Sequence, residues 1–283
     1  MARSCSAFRS NQNLTAMQRN TTTSRNPAAA APWGWAIAGA LLGVVIAVVL
    51  FAPARWLSAA VMQLSAGQVR LIEPRGTLWN GSARLLLTGG SGSRDSAALP
   101  GQVDWRLRPG WLALNFQLTA ACCTPAPLQA RLSPGWSALV LQLTDGTSQW
   151  PAAVLAGLGT PWNTLRADGT LRLMTQGLSM TWNEGRMVVA GRAELTAIAM
   201  SSRLSTLRPM GSYRITLNGG DSTALEVTTL EGSLQLSGSG QWVGTRLRFQ
   251  GIASAAPEHE AALANLLNII GRRQGTRSII TLG

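Results

Sequence analysis

The run from Trp33 to Ala52 carries no charged residue, and it constrains this chain more than any other feature. It reads Trp-Gly-Trp-Ala-Ile-Ala-Gly-Ala-Leu-Leu-Gly-Val-Val-Ile-Ala-Val-Val-Leu-Phe-Ala. At about 1.5 Å of rise per residue, a helix of roughly 20 residues spans about 30 Å, the depth of a bilayer's hydrocarbon core. Pro32 precedes the run and Pro53 follows it, so both ends carry a helix-breaking residue. Trp33 and Trp35 stand at one end and Trp56 just past the other, the pattern of an aromatic belt at the headgroups. The run predicts a single membrane-spanning helix over 33–52.

The flanks orient it. Arg3, Arg9, Arg19 and Arg25 precede the run, Arg55 follows it, and no acidic residue appears before Glu73. The positive-inside rule keeps residues 1–32 in the cytoplasm and exports the chain beyond Pro53. A cleaved signal peptide is the competing reading, because Ala52-Pro53-Ala54 loosely fits a small-x-small site. Against it stand the long preceding tail and an apolar run beyond the usual 7–15 residues or so of such signals.

The formal charge is +12, from 24 basic and 12 acidic residues, and every basic residue is arginine. The arginines are scattered rather than clustered, which argues against nucleic-acid binding. Of the three cysteines, Cys5 falls in the cytoplasmic tail, whereas Cys122 and Cys123 are adjacent and exported. That pair could form a disulfide between neighbours, bridge two chains, or stay free and buried. No Cys-x-x-Cys spacing marks a redox centre.

Residues 1–32 have almost no large apolar side chains and read as a disordered tail. Residues 53–67 read as a membrane-proximal helical linker, with Leu57, Val61 and Leu64 at helical spacing. From about Gln68 to the end, short runs alternate with a period of two: Val103, Trp105, Leu107; Tyr213, Ile215, Leu217; Leu234, Leu236. Such alternation buries one face and wets the other, as in antiparallel sheets. Turn signals recur at Asn80-Gly81, Pro109-Gly110, Asp145-Gly146, Asp168-Gly169, Glu184-Gly185 and Asn218-Gly219-Gly220. Near the end, Pro257–Ile270 predicts a helix with an apolar stripe of Leu263, Leu266, Leu267 and Ile270, stopped by Gly271, before a last strand at 278–282. The fold class is mainly β: one N-terminal transmembrane helix, then residues 68–283 as an extended, curved antiparallel sheet or sandwich-like domain with a short C-terminal helix.

Candidates for chemistry are few. The single histidine, His259, falls in the first turn of the late helix, and a triad would need partners that sequence does not place. One histidine and three cysteines split between compartments make no standard zinc site. The glycine-rich stretches lack a phosphate-cradling motif. The expectation is no catalytic residue, no metal and no cofactor, and neither a nucleic acid nor a small molecule as ligand. Eight tryptophans follow Trp56, and their natural role in a thin sheet is to anchor the core.

Two stretches carry a resemblance. Arg75-Gly76-Thr77-Leu78-Trp79-Asn80-Gly81 resembles the Gly-x-Leu-Trp-x-Gly signature of the N component of bacterial type II secretion, the general secretion pathway protein N family. Leu266–Gly275, with Gly271, Arg272 and Arg273, is similar to that family's C-terminal stretch. The order of parts fits as well: tail, anchor, β-rich exported domain, late helix. The resemblance implies a non-enzymatic accessory subunit of the inner-membrane platform that moves folded proteins from the periplasm through a secretin. It implies other platform subunits as partners, with the secretin's periplasmic part as a further one. The long tail and the Cys122-Cys123 pair depart from the family pattern. Read from the residues themselves, Gly76 and Gly81 delimit a turn–strand unit, Trp79 fills a core position and Arg75 is exposed, as fold determinants or as a contact site. The alternative function is a periplasmic lipid-handling or envelope-biogenesis protein whose anchored β groove presents an apolar surface; an envelope hydrolase is a third.

Overall fold

The computed structural model describes residues 33–90, 92–136, 138–183, 186–220, 222–244 and 246–283. The expected tail 1–32, with Arg25, and the expected turn Glu184-Gly185 lie outside the described residues. The chain divides into two compact units, 1–47 and 48–283. Helix α1, Trp33–Leu50, is apolar all round and none of its side chains is buried against protein. Among the described residues it is the one helix long and apolar enough to cross a membrane.

The second unit is built on one open antiparallel sheet. After helix α2, Ala54–Leu64, come β1 Val69–Gly76, β2 Asn80–Thr88, β3 Ser96–Ala98, β4 Val103–Gly110, β5 Ala113–Ala120, β6 Leu128–Pro134, β7 Ala138–Leu143 and β8 Gly146–Pro151. A 3-10 segment, Ala152–Leu158, and helix α3, Trp162–Leu165, lead to the long strands β9 Asp168–Asn183 and β10 Arg186–Ser201. Then follow β11 Gly211–Asn218, β12 Ala224–Gly232, β13 Leu234–Val243, β14 Arg246–Ala255, helix α4 Glu260–Ile270, β15 Arg272–Gln274 and β16 Arg277–Leu282. The strand order is nearly that of the sequence, β1-β2-β4-β5-β6-β7-β9-β10-β11-β12-β13-β14-β16-β15, with β3 on β2 and β8 on β9.

The period-two runs fall in register across this sheet. Val103, Trp105 and Leu107 of β4 face Ala120, Leu118 and Phe116 of β5. Leu195 of β10 lies between Leu173 of β9 and Ile215 of β11. The apolar face is therefore continuous from strand to strand, and Arg106, Gln117, Arg172, Glu194 and Arg214 fall on the other. On that polar face Glu194 bridges Arg192 (3.2 Å) and Arg214 (3.0 Å).

Helices close the apolar face at three places. Leu263, Leu266 and Leu267 of α4 sit in the largest core with Leu171, Ala197, Tyr213 and Leu234. Val154 of the 3-10 segment joins Leu99, Val103, Ala120 and Cys123. Ala54 of α2 joins Ala83, Trp105 and Leu107, with Leu57 beside them. The stripe expected on α2 is only half right: Leu57 turns toward the sheet, whereas Leu64 is exposed because the helix ends there. The late helix begins with a 3-10 turn, Pro257–His259, before α4 proper. Gly271 does end it, but in extended backbone; a Cβ there would come 2.5 Å from the Ile279 carbonyl oxygen, so close strand approach demands the glycine.

Three turn signals read differently in three dimensions. Asn80-Gly81 is not the tip of the first hairpin: its turn is Thr77–Asn80, and Gly81 already pairs with Gly76. Pro109-Gly110 ends β4, and Trp111-Leu112 forms the tip. Asp145-Gly146 marks a step, because β7 and β8 pair with successive stretches of β9. The Asp145 carboxylate accepts the Gly177 N–H (2.6 Å), where β9 takes a positive φ and its register against β10 shifts.

Both sheet edges are blunted against further pairing. On β1, Pro74 lacks an N–H, and Glu73 at φ 53° lies within a register shift. On the other edge β15 is three residues long.

Candidate functional site

The stretch Arg75–Gly81 knots the start of the sheet to the end of α1. Gly76 takes φ +84°, and a Cβ there would meet the Asn80 carbonyl oxygen at 2.5 Å. The turn is closed by the Thr77 N–H donating to the Asn80 carbonyl (2.8 Å) and the Asn80 N–H donating to Thr77 Oγ1 (3.1 Å). Gly81 leaves room for the Trp105 indole, which lies over its backbone; a Cβ would also stand 2.6 Å from the Arg75 carbonyl oxygen.

Leu78 and Trp79 point their polar groups two ways. The Leu78 N–H donates to the Ala52 carbonyl (2.7 Å), and the Trp79 indole N–H donates to the Val49 carbonyl (2.8 Å). In the other direction, the Leu78 carbonyl accepts the Trp105 indole N–H (3.1 Å) and the Trp79 carbonyl accepts the Leu107 N–H (2.7 Å). Pro53 and Thr77 form an isolated bridge between the same segments. The sequence places Trp79 in the core. The structure makes it half-buried at the edge of the core around Trp105, because its ring must also reach Val49. Trp105 is the fully buried ring, 2% exposed.

Arg75 is exposed, and with Asn80, Asp104, Arg106 and Gln117 it lines a polar cleft of about 570 Å³. Two guanidinium groups and one carboxylate suit a polar or acidic segment of another chain. Of the expected anchor residues, Trp33 and Trp35 are exposed in the first turn of α1, and Arg55 and Trp56 are exposed on α2.

The C-terminal stretch forms a separate cluster. The Arg273 guanidinium donates to Glu260 Oε1 (3.3 Å), to the Ala264 carbonyl (3.4 Å) and to the Gly275 carbonyl (2.9 Å), strapping α4 to the β15–β16 hairpin. Arg272 is exposed and takes no part in the strap. The structure does not bring this cluster to the Arg75–Gly81 knot: one lies at each end of the strand order.

Cys122 and Cys123 are joined to each other after β5, one of the three arrangements open from sequence. His259 stands at the start of α4. Among the described residues no group of three or more His, Cys, Asp or Glu side chains is placed to hold a metal ion. Not every tryptophan anchors the core. Trp105 does, and Trp150 packs against the other two clusters, but Trp111 and Trp136 are exposed, because they occupy hairpin tips rather than strand faces. Sequence reasoning missed them as surface residues; their places beside Pro109-Gly110 and Pro134-Gly135 were the available signal.

No curated protein and no solved structure matches the chain. A family model described as Type II secretion system (T2SS), protein N matches residues 67–280, from the start of the sheet through its last strand, and the chain belongs to that family.

Proposed function

We propose that this family member is an accessory subunit of the inner-membrane platform of the type II secretion machinery, supporting export of folded proteins from the periplasm through the secretin. In this reading 1–32 is a cytoplasmic tail, 33–52 spans the inner membrane, 53–67 is a membrane-proximal linker and 68–283 is the periplasmic domain. The chain is not an enzyme, and its partners are other platform subunits and the secretin's periplasmic part.

The observation that carries the reading is the Trp79–Val49 hydrogen bond. It fastens the stretch resembling the family signature to the last turn of the apolar helix. Val49 lies where the apolar run ends, so in this reading the signature stretch starts the sheet directly where the chain leaves the membrane. Because both edges of the sheet are blunted, partner contact by side chains, for which the cleft beside Arg75 and Arg106 is suited, is favoured over strand addition.

The lipid-handling alternative needs a groove large enough for an acyl chain. The apolar cavity beside the 3-10 segment holds about 230 Å³, and one walled by strands β5 to β9 holds about 160 Å³. Ligand sites usually run to about 300–1,000 Å³. Over three stretches of the apolar face, helical segments of the chain itself occupy the place such a groove would use.

Deleting the gene should stop release of secretin-dependent cargo, and the full chain should restore it where a chain lacking 33–52 does not. Protease added to spheroplasts should digest the β unit. Undiminished secretion in the deletion strain would sink the proposal, and a membrane-bound species starting near Arg55 would replace the anchor with a cleaved signal.

A further inference from the structure

Two hairpin tips of this sheet carry an exposed tryptophan. The β4–β5 hairpin is closed by Trp111-Leu112 alone, since Gly110 and Ala113 are already paired. Trp111 is 91% exposed and Leu112 is exposed too, with Leu112 at φ 50°. Tight hairpin turns favour Gly, Asn or Asp, and a non-glycine residue in the left-handed region is strained. At the β6–β7 tip, Trp136 is fully exposed. A packed tryptophan buries about 150–250 Å², and neither ring does so here.

The register puts these tips at one end of the sheet. Strands β4 to β7 are consecutive antiparallel neighbours, so the turns after β4 and after β6 fall on the same side. Two strand spacings separate them, about 10 Å. The Thr77–Asn80 turn belongs to this side, because Asn80 pairs with Arg106 as β4 heads toward its tip. That turn holds Ala52 and Val49, where the chain leaves the apolar helix. Just behind the tips stand exposed arginines: Arg108 and Arg131 are both paired with Asn115.

We infer that the Trp111-Leu112 and Trp136 tips insert into the headgroup layer of the membrane that α1 spans, with Arg108 and Arg131 on anionic lipid phosphates. The inference rests on the anchor reading. Indole rings favour the headgroup layer, where one edge meets apolar chains and the N–H meets water. Arginine pairs with phosphate through two parallel hydrogen bonds and is drawn to an anionic surface. A lipid surface suits this arrangement better than a protein partner. The exposed rings are single projections two strand spacings apart, whereas a protein interface needs a contiguous, shape-matched core. Tethering by the helix keeps the tips beside the bilayer, so weak individual insertions act at high effective concentration.

The test uses the full chain reconstituted in phosphatidylethanolamine–phosphatidylglycerol vesicles, with a photoreactive benzophenone amino acid at one position at a time. Replacement of Leu41, within α1, reports the anchor. Replacement of Gln102, exposed at the opposite end of β4, reports background. Replacement of Trp111 or Trp136 should give lipid adducts well above the Gln102 level and of the same kind as at Leu41. Lipid adducts at Leu41 with none at 111 or 136 would overturn the inference and leave the anchor standing. Adducts at 111 or 136 to a second copy of the chain, without lipid, would overturn it in favour of self-association. Absence of lipid adducts at Leu41 would remove the anchor and the inference together.

Discussion

The indole N–H of Trp79 donates to the backbone carbonyl of Val49 across 2.8 Å, joining residues 30 positions apart. The last carbonyls of a helix lack their usual partner four residues on, and the Val49 carbonyl otherwise accepts only a long contact from the Ala52 N–H (3.4 Å). Trp79 meets that need from the sheet, while its ring packs at the edge of the core around Trp105. The two contributions can be separated. Trp79→Phe keeps most of the packing and loses the hydrogen bond, at about 0.5–1.5 kcal/mol. Trp79→Ala loses both, but falls short of the roughly 3–5 kcal/mol of a fully buried aromatic ring, because this one is half-buried. Thermal unfolding of the full chain in detergent should rank wild type above Phe and Phe above Ala. Equal losses for the two variants would mean that packing contributes nothing.

Gly81 is needed for a reason other than turn conformation. The Trp105 ring occupies the space in which a side chain at 81 would lie. Gly81→Ala should therefore destabilise the β unit by about 1–3 kcal/mol, the usual cost of overpacking. Combining it with Trp105→Leu should make the two losses less than additive, since the smaller side chain vacates that space. Some of the loss should remain, because the Arg75 carbonyl also crowds the site. Denaturant midpoints of the two single variants and the double variant check this; strict additivity would mean that the ring and the glycine do not interact.

This same pair shows where sequence reading works and where it stops. The alternation of Val103, Trp105 and Leu107 is a local property of one strand, and it identifies a buried face correctly. The apolar run and the late helix are local in the same sense. The reason for Gly81 is not local: it lies in a ring 24 residues away, and a turn dipeptide reports only on local freedom, so Asn80-Gly81 reads as the turn itself. The long pair β9–β10 is hidden similarly. Its bulges at Gly177 and Gly191 interrupt the period of two, and both glycines are explained by register against a neighbouring strand. In the candidate site, exposed Arg75 is legible from polarity. The bond from Trp79 to Val49 is not, since no periodicity announces which backbone carbonyl an indole will reach.

Tyr213 is the only tyrosine in the chain, and its buried hydroxyl has no hydrogen-bond partner among the described residues. Burial pushes the phenol well above its ordinary value of 10.0, because the ionised form would lose its hydration. Above pH 10 the unfolded chain ionises this group while the folded chain holds it neutral, so stability is whole below that pH and falls as pH rises beyond it. Tyr213→Phe should be neutral or stabilising at pH 7, since it removes a polar atom that makes no bond, and it should flatten the alkaline loss. Denaturation at neutral and alkaline pH would show both effects. A marked loss at neutral pH would mean that the hydroxyl has a partner, such as an ordered water.

The last strand holds α4 through a buried hydrogen bond as well as through Ile280, which packs against the core of the α4 leucines. Ser278 Oγ donates to the Leu267 carbonyl at 2.7 Å, and both residues are wholly buried. Ser278→Ala leaves that carbonyl without its side-chain donor in an apolar core, at about 1–3 kcal/mol. The effect should be local first. Hydrogen exchange of the α4 amides should accelerate while those of β9 and β10 keep their protection, because the helix backbone lies closest to β14–β16. Arg273→Gln should do the same more weakly, since its bond to Glu260 is partly exposed to solvent. If Ser278→Ala speeds exchange throughout the sheet, α4 is not an independent latch: its docking and the sheet's closure at β16 are then a single cooperative event, and the C-terminal stretch around Gly271 and Arg273 is part of what folds the whole unit.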